Sequence, residues 1–126
     1  MQNQYSKRAE AFQKSLETLK LSKTADKSNP LILSGIVMSF NLTFDLAWKL
    51  IKDILQEDHG IKDFPSGSPK ETLKKAKSVG IIQDEIWLDM LDDRNDLIHD
   101  YDFVFASKKV DTIINNYIPE FEKMNI

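Results

Sequence analysis

LILSGIVMSFNLTFDLAWKLIKDILQE, residues 31–57, is the stretch on which the fold turns. Leu33, Val37, Phe40, Phe44, Ala47, Trp48, Ile51 and Leu55 recur every three or four residues, the spacing that puts side chains on one side of an α-helix. Leu42, Leu46 and Leu50 trace a second apolar line on another side. A helix apolar on two sides is either central in a bundle or shared with another subunit, and the second option makes a homodimer credible. Ser34, Ser39, Asn41, Thr43, Asp45, Lys49, Lys52 and Asp53 interrupt the stretch. A bilayer span takes roughly 20 mostly apolar residues, so the expectation is a buried helix of a soluble protein with no membrane partner.

The flanking sequence extends the pattern. Upstream, Tyr5, Ala9, Phe12, Leu16 and Leu19 predict a helix over residues 4–21, and Pro30 suits the opening of the central helix. Downstream, Asp58 to Gly67 reads as a loop, and Ser68-Pro69-Lys70-Glu71 is a capping box that starts a short third helix ending by Gly80. A fourth helix is expected from Gln83 or Asp84 to the region of Asp100–Phe103. Ser107 is expected to cap a fifth, in which Val110, Ile113, Ile114, Tyr117 and Phe121 repeat and Pro119 kinks or divides the rod. The prediction is an all-α, antiparallel up-and-down bundle of about five helices.

Composition agrees. The chain has 126 residues, one domain's worth (1–126), with four glycines and four prolines. No cysteine is present, which excludes disulfides, thiolate–zinc sites and a cysteine nucleophile. With no signal-peptide pattern at Met1–Tyr5, the expectation is a cytoplasmic protein. The net charge of −3 supplies no global field for nucleic acid. DNA is not an expected partner, and any RNA contact has to be local.

Chemistry concentrates in Asp92-Asp93-Arg94-Asn95-Asp96-Leu97-Ile98-His99-Asp100-Tyr101. Arginine clamps phosphate through paired donors, and histidine exchanges a proton near neutral pH. Together they can attack a phosphodiester without metal, one holding negative charge while the other moves protons. Helix geometry sets a condition. Arg94 and His99 differ by about 140° on an ideal helix, whereas Asn95 and His99 share a face and Arg94 aligns with Tyr101 within about 20°. Convergence needs a distorted helix end, a reaching arginine, or the same helix from a second subunit. The bland alternative is that Arg94 pairs with carboxylates and His99 simply ends a helix.

Arg94-Asn95, then His99 and Tyr101, resembles the motif of the HEPN family. Phe44-Asp45-Leu46-Ala47-Trp48-Lys49, Ser68-Pro69-Lys70-Glu71 and Glu85 to Asn95, in that order, resemble its nucleotidyltransferase substrate-binding branch. Where that branch has Arg-Phe-Glu, this chain has Ser39-Phe40-Asn41. The resemblance implies a dimeric helical bundle acting beside a minimal nucleotidyltransferase. Its role would be either that of a substrate- or nucleotide-binding subunit or that of a metal-independent ribonuclease toxin neutralised by the enzyme. It also implies catalytic roles for Arg94, His99 and Asn95, and AMP addition at Tyr101.

Weaker signals complete the reading. Lys70, Lys74 and Lys77 share one side of the third helix and could guide phosphates, although a solvated face is the plainer account. Asp89, Asp92, Asp93, Asp96 and Asp100 hint at a divalent metal, but carboxylate-bundle sites draw ligands from several helices and no second Glu-x-x-His element is present. A negative surface that meets a basic partner is the plainer account. Neither a metal nor a cofactor is expected.

Overall fold

The computed structural model describes residues 4–62, 67–99 and 102–124, and among these every regular element is helical. Helix α1 (Gln4–Lys20) ends in a 3₁₀ turn at Leu21–Thr24 and is followed by α2 (Pro30–Glu57), α3 (Pro69–Ser78) and α4 (Ile86–His99). Then α5 (Phe103–Thr112) runs through a π-turn at Ile113–Tyr117 into α6 (Ile118–Glu122). Helical angles at Ile113 (φ −57°, ψ −49°) and Ile118 (φ −57°, ψ −47°) make these last three pieces one rod.

The helix starts follow from local chemistry. Asn29 accepts the Leu31 N–H at 2.9 Å ahead of Pro30. Ser68 accepts the Glu71 N–H at 3.3 Å, as the capping box predicts. Gly80, at φ +86°, closes α3 while the Ile81 N–H reaches back to the Ala76 carbonyl.

One expected start is corrected: Ser107 does not cap the last rod. Asp102 does, its carboxylate accepting the Phe105 N–H at 2.9 Å, so that Ser107 lies inside α5. Aspartate is as good a cap as serine, and the first carboxylate after the connection wins. Asp102→Ala is expected to cost about 1 kcal/mol, read from the urea midpoint.

Pro119 is expected to kink or divide the rod, but the helical backbone runs on through it. A proline has no N–H to donate, and its ring crowds the carbonyl four residues back. The rod answers by widening into the π-turn just upstream, where the Ile118 N–H bonds to the Ile113 carbonyl.

Antiparallel packing is recorded by cross-helix pairs. Arg8 meets Asp53 at 2.7 Å while Ser15 meets Thr43 at 2.6 Å, so α1 and α2 run oppositely. Thr43 donates its hydroxyl hydrogen to the Ser39 carbonyl, which makes Ser15 the donor of that buried pair. Trp87 meets Phe121 and Asp93 meets Tyr117, so α4 opposes the α5–α6 rod.

The expected α2 stripe, from Leu33 to Leu55, is buried. By length and composition α2 could cross a bilayer, at a mean hydropathy of 1.5, but that stripe forms the bundle's core. The second apolar line splits. Leu50 is buried, Leu46 half-buried, and Leu42 exposed. Phe12, Phe40, Phe44, Trp87, Tyr117 and Phe121 join the four long rods through ring contacts of 5.5–6.5 Å.

Candidate functional site

Arg94 leaves α4 toward α2 and lies half-buried at the seam between them. Its Nη2 donates to Asp45 Oδ1 at 2.8 Å, and its Nη1 donates to Asn95 Oδ1 at 3.0 Å. The same Asp45 oxygen accepts from Trp48 Nε1 at 3.3 Å. A guanidinium on an apolar stripe needs such partners to be tolerated there. The Arg94 Nε is buried and, among the described residues, has no hydrogen-bond partner. The result is a cation of fixed position and orientation, held by one carboxylate and one amide.

His99 ends α4 in an exposed position, and no polar contact joins it to Arg94. Within one chain, then, Arg94 and Asn95 come together and His99 stands apart, as the 140° separation requires. Tyr101 lies outside the described residues. Among the three lysines, Lys74 pairs loosely with Glu71 at 4.0 Å and Lys77 binds Glu85 at 2.8 Å, while Lys70 is exposed. The Lys77 ammonium holds the Glu85 carboxyl below its usual range. Lys74 and Lys77 thus have acids beside them, and Lys70 faces solvent, as on a solvated face. Among the described residues, no group of three or more His, Cys, Asp or Glu side chains is placed to hold a metal.

Asp45 is the site residue that sequence reasoning missed as a partner. Its signal was present: it is the only acid on α2 before Asp53, amid Phe44, Leu46 and Ala47. What the sequence lacks is the pairing across 49 positions.

Behind Arg94, the other side of α4 is also pinned. Asp93 is buried, accepts the Tyr117 hydroxyl hydrogen, and pairs with Lys109 at 2.8 Å. Burial and the nearby Asp93 carboxylate push the Tyr117 phenol well above its ordinary value near 10. A raised folded-state pKa means the protonated form is favoured in the fold. That stabilisation is complete below about pH 10 and is lost as pH rises further. Wild type should therefore lose stability in alkali more steeply than Tyr117→Phe, which urea midpoints between about pH 8 and about pH 11 will show.

Large apolar side chains also stand open on α2, α4 and α5. Met38 is 72% and Leu42 57% exposed on α2, Ile98 is 51% exposed on α4, and Phe103 and Val104 are exposed at the start of α5. Around α2, Met38 and Leu42 lie within about 60° of Asp45, and around α4, Ile98 lies about 40° from Arg94. Met38, Leu42 and Ile98 therefore lie on the sides of α2 and α4 that carry Asp45 and Arg94.

The family model described as nucleotidyltransferase substrate binding protein like matches residues 3–126 of this chain. Among solved structures, a crystal structure of a protein from Thermus thermophilus is similar at a TM-score of 0.77 and 28% identity, covering 90% of this chain and 94% of that one. No curated protein matches.

Proposed function

Because the chain belongs to the nucleotidyltransferase substrate binding protein-like family, we propose that it acts beside a nucleotidyltransferase as a homodimeric ribonuclease subunit, a toxin that the enzyme restrains. The observation that carries this reading is the open apolar face beside Arg94. Large apolar residues grouped beside a fixed charge mark an interaction surface. A twofold axis through that face would gather two Arg94 and two His99 side chains in one cleft, supplying what a single helix withholds.

The chemistry is then direct. The substrate's own 2′-hydroxyl attacks the neighbouring phosphorus, and the 5′-oxygen departs, leaving a cyclic 2′,3′-phosphate. His99 takes the hydroxyl proton or returns one to the leaving oxygen. Arg94 holds the phosphate and stabilises the charge that develops on it. Asn95, bonded to Arg94, keeps the guanidinium aimed. AMP placed on Tyr101 would bring bulk and negative charge against incoming RNA.

A second reading rests on a separate observation: both terminal nitrogens of Arg94 already have partners. A cation so anchored suits a subunit that presents a nucleotide or other phosphate-bearing substrate to the enzyme without cleaving it.

The two readings part in one experiment. Purified protein is incubated with RNA in EDTA, as wild type and as His99→Ala. Cleavage lost in His99→Ala supports the nuclease. Intact RNA with saturable nucleotide binding supports the presenting subunit. Ile98→Glu, placed on the open face, is expected to give a monomer by light scattering and to lose cleavage with the dimer.

A further inference from the structure

A second site lies elsewhere on the bundle, where the connection between α3 and α4 meets α6. The cavity there measures about 600 Å³, and Ile54, Ile82, Trp87 and Met124 form its apolar walls. Trp87 is seven residues from Arg94, roughly 10 Å along α4, so this cavity is separate from the arginine seam. Its volume falls in the range of small-molecule sites, which pair apolar walls with a few polar groups.

The unusual member is Glu120. It is only 8% exposed, although glutamate is seldom buried without firm pairing. Its partner is Lys123, at 3.0 Å through Oε2, and that lysine's side chain is 70% exposed. An exposed, flexible lysine is a weak counter-ion and can swing into water. Asp84 adds a second carboxylate at the rim, so the lining carries two negative groups against one positive. Asp84 Oδ1 already accepts the Ile86 N–H, which leaves Glu120 as the recognition group.

We propose that this cavity binds a small protonated amine with an apolar or aromatic body. The ammonium displaces Lys123 and pairs with Glu120, and the body lies against the isoleucines and Trp87. The exchange gives a largely desolvated carboxylate a sheltered partner in place of an exposed one, while covering apolar wall.

Phenethylamine is a suitable probe, with 3-phenylpropionate as its anionic counterpart, titrated into the full chain while Ile methyl NMR signals and tryptophan fluorescence are followed. Phenethylamine is expected to bind saturably and shift the Ile54 and Ile82 methyl signals, while 3-phenylpropionate leaves them unmoved. Glu120→Gln is expected to weaken binding by about tenfold or more. Lys123→Ala is expected to tighten it by removing the competitor, the opposite of what loss of a merely structural ion pair would do. Should Glu120→Gln fail to fold, Ile82→Trp fills the cavity with its charges intact and is expected to abolish binding. No saturation at millimolar amine, equal binding of the anion, or weaker binding in Lys123→Ala would overturn the proposal.

Discussion

Arg94→Ala is expected to lower RNA cleavage by about 10²–10³-fold, the usual consequence of losing a donor that stabilises transition-state charge. The geometry explains why Lys109 and Arg8 do not compensate. Lys109 is committed to Asp93 at 2.8 Å on another side of α4, and Arg8 is tied to Asp53 at 2.7 Å between α1 and α2. Arg94→Lys is expected to restore little. An ammonium is a point charge and cannot hold Asp45 and Asn95 in the fixed fork that orients the guanidinium. Asp45→Asn probes the same unit from the other side. It leaves the cation in place but loosens its aim, so cleavage should fall less than in Arg94→Ala. Single-turnover assays on RNA, with circular dichroism as a check on folding, measure all three. If wild type binds phosphate-bearing ligands and cleaves nothing, Arg94→Ala should abolish the binding instead.

The largest effect on stability is expected at Phe40. Its side chain is fully buried and meets Tyr117 at 5.5 Å, Phe121 at 6.3 Å and Phe44 at 6.4 Å. Truncation removes the ring and leaves a cavity among stiff aromatic neighbours that cannot easily collapse. Phe40→Ala should cost about 3–5 kcal/mol, a large share of the roughly 5–15 kcal/mol that holds a domain of this kind together. Phe40→Leu, which keeps most of the volume, should cost about 1.5 kcal/mol or less. Urea denaturation separates the two, because a lower midpoint at unchanged slope reports stability alone.

Why the fold was readable and parts of the site were not follows from how each is encoded. Helical burial repeats along the chain, so Leu33 through Leu55 announce the buried side of α2 many times over. Caps are nearly as local: Asn29 and Ser68 act within three residues of themselves. Even here competition misleads, since Ser107 looks like a cap until Asp102 takes the role five residues earlier. Site pairings are not local. Arg94 with Asp45, Arg8 with Asp53 and Asp93 with Tyr117 each depend on which helices become neighbours and at what height. No periodicity announces them. The motif did locate Arg94, Asn95 and His99 on α4, and spacing alone foretold that one copy of the helix would not bring Arg94 and His99 together.

The π-turn makes the final rod one residue longer than its span demands. Its outward members, Asn115 and Asn116, are exposed and contribute nothing to the core. Removing either one, together with Pro119→Ala, lets the rod rewind as a plain α-helix with Tyr117, Ile118 and Phe121 still in phase. The same deletion made at Ala106 or Val110 would throw every later side chain about 100° out of phase. The last rod thus carries its slack at this turn, and there a shortened descendant of this chain could lose a residue and keep the rod's packing in phase.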